Sequence, residues 1–285
     1  SGNSRGNPFA LPASIPNMPS HHVSTDLQAL GPSLTISTAC ATGSQAIGEA
    51  GEIIRRGAAD IMITGGVEAL IRDFCIVGFS GMRALPTGYN HSPERASRPF
   101  DRDREGFVFS EGCGVLILES LEHAQSRGAE ILAELLGQGA SSDAFHMAQP
   151  NPQASGAIRA MRWALQNARV NPDDIDYINA HGTGTPANDP LETLAIKTIF
   201  AEQAYSIPVS STKSMIGHPM GASGALEAIA CIMSIRTGIL HPTRNLDNPD
   251  ADCDLDFVPH QARSTPVQTV LTNSFGLGGQ NASLI

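Results

Sequence analysis

The stretch Thr38-Ala39-Cys40-Ala41-Thr42-Gly43 constrains this chain more than any other. The apolar run Leu34-Thr35-Ile36-Ser37 leads into a single cysteine, and small residues and a glycine follow. Ala46, Ile47, Ala50, Ile53 and Ile54 then recur at spacings of three and four, the period of a helix face. The pattern predicts strand, tight turn and helix, with Cys40 on the turn at the helix N-terminus. Unpaired backbone N–H groups there favour an anion, so a thiolate is expected to be stabilised and the Cys40 pKa lowered. The same N–H groups can hold a developing oxyanion. Cys40 also fits a small buried hydrophobe, as most free cysteines are.

The rest of the chain alternates in the same way. Ile61-Met62-Ile63-Thr64, ended by Gly65-Gly66, reads as a buried strand, and Gly114 to Leu118 as another. Glu119 to Arg127 reads as a short helix and Ile131 to Leu136 as a strand. A second α/β region has a helix marked by Ile158, Met161, Leu165 and Ala168, and a strand from Ile175 to Ala180. There follow a helix over Pro190 to Phe200, a strand over Ile207 to Ser211, a helix over Ala222 to Arg236 and a last strand over Val267 to Thr272. Residues 1–33, 83–104 and 137–153 are rich in Gly, Pro, Ser or Asn and read as irregular. This alternation predicts an α/β architecture with a largely parallel sheet core. A faint repeat is also present: Cys40 to Ile47 leads a helix ending Arg55-Arg56-Gly57, and Met220 to Leu226 leads one ending Arg236-Thr237-Gly238. Two copies of one unit would bring both helix N-termini to a pseudo-twofold axis.

Composition narrows the function. The net charge of −10 argues against nucleic-acid binding, which needs a basic face, although an acidic carrier protein could dock on a local basic patch. The five cysteines are scattered with no CxxC pair, which points to free thiols in a reducing compartment rather than a zinc site. No apolar run approaches the ~18 residues of a membrane span, and no signal peptide is visible, so a cytoplasmic or organellar stromal or matrix location is expected.

Two histidines lie in glycine-rich turns after strands, in Ala180-His181-Gly182-Thr183-Gly184-Thr185 and in Gly217-His218-Pro219-Met220-Gly221. Ser211-Thr212-Lys213-Ser214 lies between them. Side chains at the carboxyl ends of strands line the ligand crevice of α/β folds. A Cys, two His and a Lys at such positions make a nucleophilic site. Each alone also fits an ordinary structural role: a hydrogen-bonded core histidine, a solvated lysine.

These motifs, in order and together, make the sequence resemble a β-ketoacyl-acyl carrier protein synthase of the elongating, type II kind, a thiolase-fold condensing enzyme. The likeness runs from about Pro8 to Ile285 and also includes Gly65-Gly66-Val67-Glu68-Ala69, Arg98-Pro99-Phe100-Asp101 and Asn273-Ser274-Phe275-Gly276-Leu277-Gly278-Gly279-Gln280-Asn281. The resemblance implies a layered αβαβα fold in two halves, residues 1–129 with Cys40 and residues 130–285 with His181, Lys213 and His218. It implies decarboxylative condensation of an acyl chain on Cys40 with malonyl-carrier protein, promoted by His181 and His218. The backbone N–H groups of Cys40 and Leu277 match the oxyanion hole. Lys213 would organise the site electrostatically, paired with Glu192. Thr183 and Thr185 would bind the pantetheine arm, and Phe79, Phe275 and Leu277 would line the substrate path. Arg83 matches a carrier-protein contact, with Arg55, Arg56, Arg95 and Arg98 as further basic candidates. The resemblance implies no metal and no organic cofactor, an acyl carrier protein as partner, and a homodimer for a complete enzyme. A polyketide ketosynthase, or a non-catalytic partner subunit, is the alternative.

The sequence departs from the family pattern in three ways. Leu277 stands where a gating Phe is usual, Ala148 stands where a Thr near the pantetheine path is usual, and the opening strand–helix–strand section before the nucleophile is absent. The first half is therefore expected to be incomplete.

Overall fold

The computed structural model describes residues 6–285. In chain order the elements are α1 (Ala10–Ser14), α2 (Met18–Asp26), α3 (Thr42–Arg55), β1 (Ile61–Glu68), α4 (Asp73–Gly81), β2 (Gly112–Glu119), α5 (Leu121–Ser126), β3 (Gln138–Ser142) and α6 (Ser155–Ala168). They continue as β4 (Tyr177–Asn179), α7 (Asn188–Phe200), β5 (Val209–Ser210), α8 (Lys213–Ile216), α9 (Ser223–Thr237), β6 (Ile239–Leu240), β7 (Arg263–Ser264), β8 (Val270–Gly276) and β9 (Gln280–Leu284).

The larger sheet has the order β3-β9-β8-β4-β5. It is mixed rather than largely parallel: β4 runs parallel to β5 and β8, whereas β9 runs antiparallel to β8 and β3. The tight turn Gly276-Leu277-Gly278-Gly279, with Gly278 and Gly279 at positive φ, makes β8 and β9 a hairpin and so forces the antiparallel pairing. Helices α6 and α7 cover one face, where Met161, Ala164, Leu165, Ile196 and Phe200 pack with Ile178, Val209 and Leu271 in the main core. Helices α3 and α9 lie on the other face and carry the β1–β2 ribbon on their far side. Ile47, Ala225, Ala228 and Leu284 form that second core, with Leu116 and Leu118 of β2 against it. Helix, sheet, helix and sheet layers thus follow in order, four of the five layers of a thiolase-like fold.

The expected strand over Ile131 to Leu136 is not formed. Only its end is tied in, where Leu136 N–H donates to the Ile285 carbonyl and Ile285 N–H to the Gly137 carbonyl, and the strand proper starts at Gln138 inside the stretch read as irregular. The run Leu34 to Ser37 joins no strand ladder. A strand exists only where a neighbour takes its N–H and C=O groups, and these segments have none along their length among the described residues. Residues 1–33, read as irregular, contain α1 and α2, neither of which buries a residue.

The internal repeat is real in three dimensions. A 3₁₀ turn over Ala39–Ala41 precedes α3, and one over Met220–Ala222 precedes α9. Ala39 and Met220 both adopt positive φ, 49° and 37°. The two helix starts cross closely: a Cβ on Gly43 would lie 2.7 Å from the Ala225 nitrogen, and one on Gly224 would lie 2.4 Å from the Ser44 nitrogen. Glycine at both positions is what lets the backbones touch.

Candidate active site

The crossing of α3 and α9 brings together residues 178 positions apart: His218 Nε2 lies 3.0 Å from Cys40 Sγ. The other ring nitrogen of His218, Nδ1, lies 2.9 Å from Ser223 Oγ at the start of α9. One neutral tautomer satisfies both contacts, with Nδ1–H donating to Ser223 and Nε2 accepting the thiol proton. His181 follows β4, and its ring meets that of His218 edge-on with centroids 5.4 Å apart. The ligand-capable atoms of Cys40, His181 and His218 all lie within 4.8 Å of one another, and all three residues are buried. The expected Cys-His-His grouping is therefore formed.

Burial dominates the electrostatics. It pushes the Cys40 thiol up to about 11, against the lowering effects of Lys213 and of the Leu277 and Cys40 backbone N–H groups. The expectation of a lowered Cys40 pKa is thus corrected: the helix N-terminus acts as foreseen, but desolvation outweighs it. Both histidines are held well below the usual imidazole range by burial and by the charge of Lys213, with His218 adding to the effect on His181. They are neutral at physiological pH. His181 Nδ1 is buried with no hydrogen-bond partner. A Cys-His-His triangle is also a donor set for zinc-like ions. Here Lys213 places a positive charge against all three groups and disfavours a cation.

Lys213 does not pair with Glu192 as expected. Its Nζ makes a buried ion pair with Glu227 of α9, whose carboxyl is pushed up to about 7 by burial despite that pairing. Glu192 instead accepts the backbone N–H groups of His181 and Gly182, each at 2.8 Å, and so fixes the turn that carries His181. Sequence spacing could not choose between two glutamates; Glu227 lies one helix turn beyond the α9 start, on the face turned to the site.

The other expected residues divide. Thr183 and Thr185 are adjacent, with hydroxyl oxygens 3.0 Å apart, and Thr185 also accepts the Asn188 N–H at the start of α7. Phe79 packs edge-on to Phe107 and Phe109 in an apolar cluster that includes Cys40 and Met220. Phe275 lies beside the His181 ring, centroids 5.6 Å apart. Leu277, with its N–H directed at Cys40, is 38% exposed at the β8–β9 turn. Arg83 is exposed, at positive φ, with no salt bridge among the described residues. Arg98 is withdrawn as a surface contact: it is 2% exposed and paired with Asp101 and Asp247. Arg55 and Arg95 are engaged with Glu52 and Asp247. Four neighbours of the site escaped sequence reasoning. Phe107 packs edge-on to His218, and Met220 Sδ lies 3.7 Å from Cys40 Sγ. Ser223 and Glu227 are the others. Met220 and Ser223 carried a signal, their place in the internal repeat.

A thiolase-like layered fold with a buried cysteine and two neutral histidines at the meeting of two helix N-termini defines a condensing enzyme. Sequence models of the β-ketoacyl synthase N-terminal and C-terminal domains match residues 1–124 and 132–247. The chain belongs to the β-ketoacyl synthase family. It is 49% identical over 285 residues to 3-oxoacyl-[acyl-carrier-protein] synthase 2 of Coxiella burnetii, covering 100% of this chain and 69% of that protein. To the Synechocystis protein of the same name it is 50% identical over 283 residues, covering 99% and 68%. Among solved structures, a type II polyketide ketosynthase in complex with its acyl-carrier protein superposes with a TM-score of 0.95 at 39% identity, covering 98% of this chain and 68% of that one. A β-ketoacyl synthase from Burkholderia phymatum gives 0.90 at 40% identity, covering 95% and 65%.

Proposed function

We propose that this chain carries the catalytic centre for decarboxylative condensation of an acyl group on Cys40 with malonyl-acyl carrier protein, the elongation step of fatty-acid synthesis. The contact of Cys40 Sγ with His218 Nε2 carries the reading, since a non-catalytic partner subunit needs no such pair. Fatty-acid rather than polyketide elongation is favoured because the relatives named 3-oxoacyl-carrier synthases stand at 49–50% identity and the polyketide ketosynthase at 39%.

In the first half-reaction Cys40 attacks the acyl thioester of the carrier. Because the thiol is protonated at rest, His218 Nε2 takes its proton as the S–C bond forms and returns it to the departing carrier thiol. The N–H groups of Cys40 and Leu277 hold the tetrahedral oxyanion. In the second, malonyl-carrier protein loses carbon dioxide, and the electron pair of the broken C–C bond forms an enolate. The neutral imidazole of His181 donates an N–H to its oxygen, and His218, once Cys40 is acylated, adds a second donor by carrying its hydrogen on Nε2 while the Ser223 hydroxyl donates to Nδ1. The carbanion carbon attacks the Cys40 acyl carbon, the C–S bond to Cys40 breaks as the β-ketoacyl chain leaves on its carrier, and the Cys40 thiolate is protonated from solvent. Lys213, fixed by Glu227, biases both histidines to the neutral form. Thr183 and Thr185 offer hydroxyls to the pantetheine arm, and Phe79, Phe275 and Leu277 line the acyl path. Arg83 is an exposed cation available to an acidic carrier protein, as is Arg56. No cofactor enters; the substrates arrive as thioesters. A homodimer is part of the same proposal, as are two halves meeting near residue 129.

The test separates the half-reactions. Cys40→Ala is expected to abolish acyl transfer and condensation. His181→Ala is expected to cut malonyl decarboxylation by on the order of 10²-fold, the effect of removing one oxyanion donor, while Cys40 still acylates. Normal condensation by the Cys40→Ala protein, or equal loss of both steps in His181→Ala, would overturn this mechanism.

A further inference from the structure

We propose that His241 is a positioning residue for condensation, tying the end of β4 to the end of β5 and so holding His181 in place; this role rests on the function proposed above. The imidazole lies just after β6 and is largely enclosed behind the site. Its Nε2 lies 2.9 Å from Thr212 Oγ1, 3.1 Å from Asn179 Nδ2 and 3.2 Å from the Tyr177 hydroxyl. Its Nδ1 lies 3.2 Å from Ser210 Oγ and 3.3 Å from the Pro242 carbonyl. Tyr177 and Asn179 belong to β4, Ser210 ends β5, and Thr212 precedes α8. One side chain thus meets both parallel strands where they hand the chain to the catalytic residues: Asn179 stands two positions before His181, and Thr212 one before Lys213.

The Pro242 carbonyl only accepts, so the neutral ring carries its hydrogen on Nδ1 and offers Nε2 as an acceptor. The Asn179 side-chain amide meets Thr212 Oγ1 at 2.8 Å, the Tyr177 hydroxyl at 3.2 Å and His241, so these side chains form one polar cluster around the ring. Thr212 O–H donates to Nε2 at 2.9 Å. The ring hydrogen sits on Nδ1, toward Ser210 and Pro242. Enclosure, which holds this imidazole below its usual range, keeps that neutral tautomer. The need for such a tie is visible at His181, whose ring Nδ1 has no hydrogen-bond partner. Its position depends on its backbone, anchored by Glu192 on one side and by β4 on the other. The acylation machinery is held differently. His218 is fixed by Ser223, and the N–H groups of Cys40 and Leu277 lie on other elements, none of them bonded to His241. Loss of the tie should therefore fall on decarboxylation more than on Cys40 acylation.

The test compares His241→Leu, which keeps bulk without an acceptor, with His241→Gln, whose amide oxygen can accept from Thr212. Both are measured in the purified protein for acylation of Cys40 by an acyl thioester, for malonyl decarboxylation and for thermal melting. His241→Leu is expected to lower decarboxylation by about 10- to 10²-fold, the range for an ångström-scale misplacement, with acylation largely kept. His241→Gln is expected to recover most of the loss. Unchanged decarboxylation in His241→Leu would overturn the role. So would parallel loss of both half-reactions and of thermal stability without rescue by Gln, since that pattern belongs to a purely structural residue. A wild-type protein that never acylates Cys40 would overturn the function itself, and the role with it, and is distinguished by that missing acylation.

Discussion

At the scale of single residues, two environments decide how the site behaves. Cys40 is buried among Phe107, Met220 and the histidines, so its thiolate fraction is small at neutral pH. With a pKa pushed up to about 11, that fraction grows tenfold per pH unit below that value. Iodoacetamide inactivation is expected to keep accelerating past pH 9; a rate that levels off below pH 8 would show a preformed thiolate. Leu277 sets the second prediction. Its aliphatic side chain is partly exposed on the hairpin turn beside Cys40, and in the proposed mechanism it borders the acyl path, which a flat ring would close more sharply. Leu277→Phe is expected to lower malonyl decarboxylation in the absence of an acyl primer. Equal unprimed rates in the two proteins would count against a gate at this position.

At the scale of elements, the site depends on how closely α3 and α9 cross. The 3₁₀ turn before each helix and the glycine inside its first turn place Cys40 against the His218 turn. A methyl group on Gly43 would meet backbone atoms of Ala225 and Gly221, which cannot rotate away. Gly43→Ala is expected to destabilise the protein by about 1–3 kcal/mol, as overpacking does, and to lengthen the Cys40–His218 contact. Circular dichroism melting and the rate of Cys40 acylation report the two effects separately. Gly57→Ala, at the far end of α3 in open space, should cost only the strain of its positive φ and leave acylation unchanged.

At the scale of the whole molecule, the two sheets differ in cover. The large sheet lies between helices on both faces, whereas the β1–β2 ribbon has α3 and α9 on one face only. Ile61, Ile63 and Val67 of β1 and Val115 and Ile117 of β2 project from the other face, 37–65% exposed. Phe74 and Val77 of α4 are exposed as well, and β1 has a free edge among the described residues. An apolar sheet face beside an unpaired edge invites association between chains. Residues 1–285 by themselves are therefore expected to scatter light and to melt with poor cooperativity. A monodisperse, sharply melting protein would show that these surfaces are tolerated.

The sequence by itself determined the alternation of strands and helices, the placing of Cys40 at a helix start, and the two histidine turns. Each is written in local periodicity, in glycine and in residues within a few positions of one another. The motif order also carried the family. What only the tertiary structure decided involves partners far apart in the chain. Glu227 rather than Glu192 pairs with Lys213, because α9 turns that face toward the site while Glu192 caps the His181 turn. Arg98 is buried by Asp101 and Asp247, although its local setting reads as a surface loop. The expected strands at Leu34–Ser37 and Ile131–Leu136 form no ladder, since a strand needs a neighbour that periodicity does not supply. Cys40 carries a raised rather than a lowered pKa because the helix N-terminus is local and legible, whereas the burial that outweighs it is a property of the packed whole.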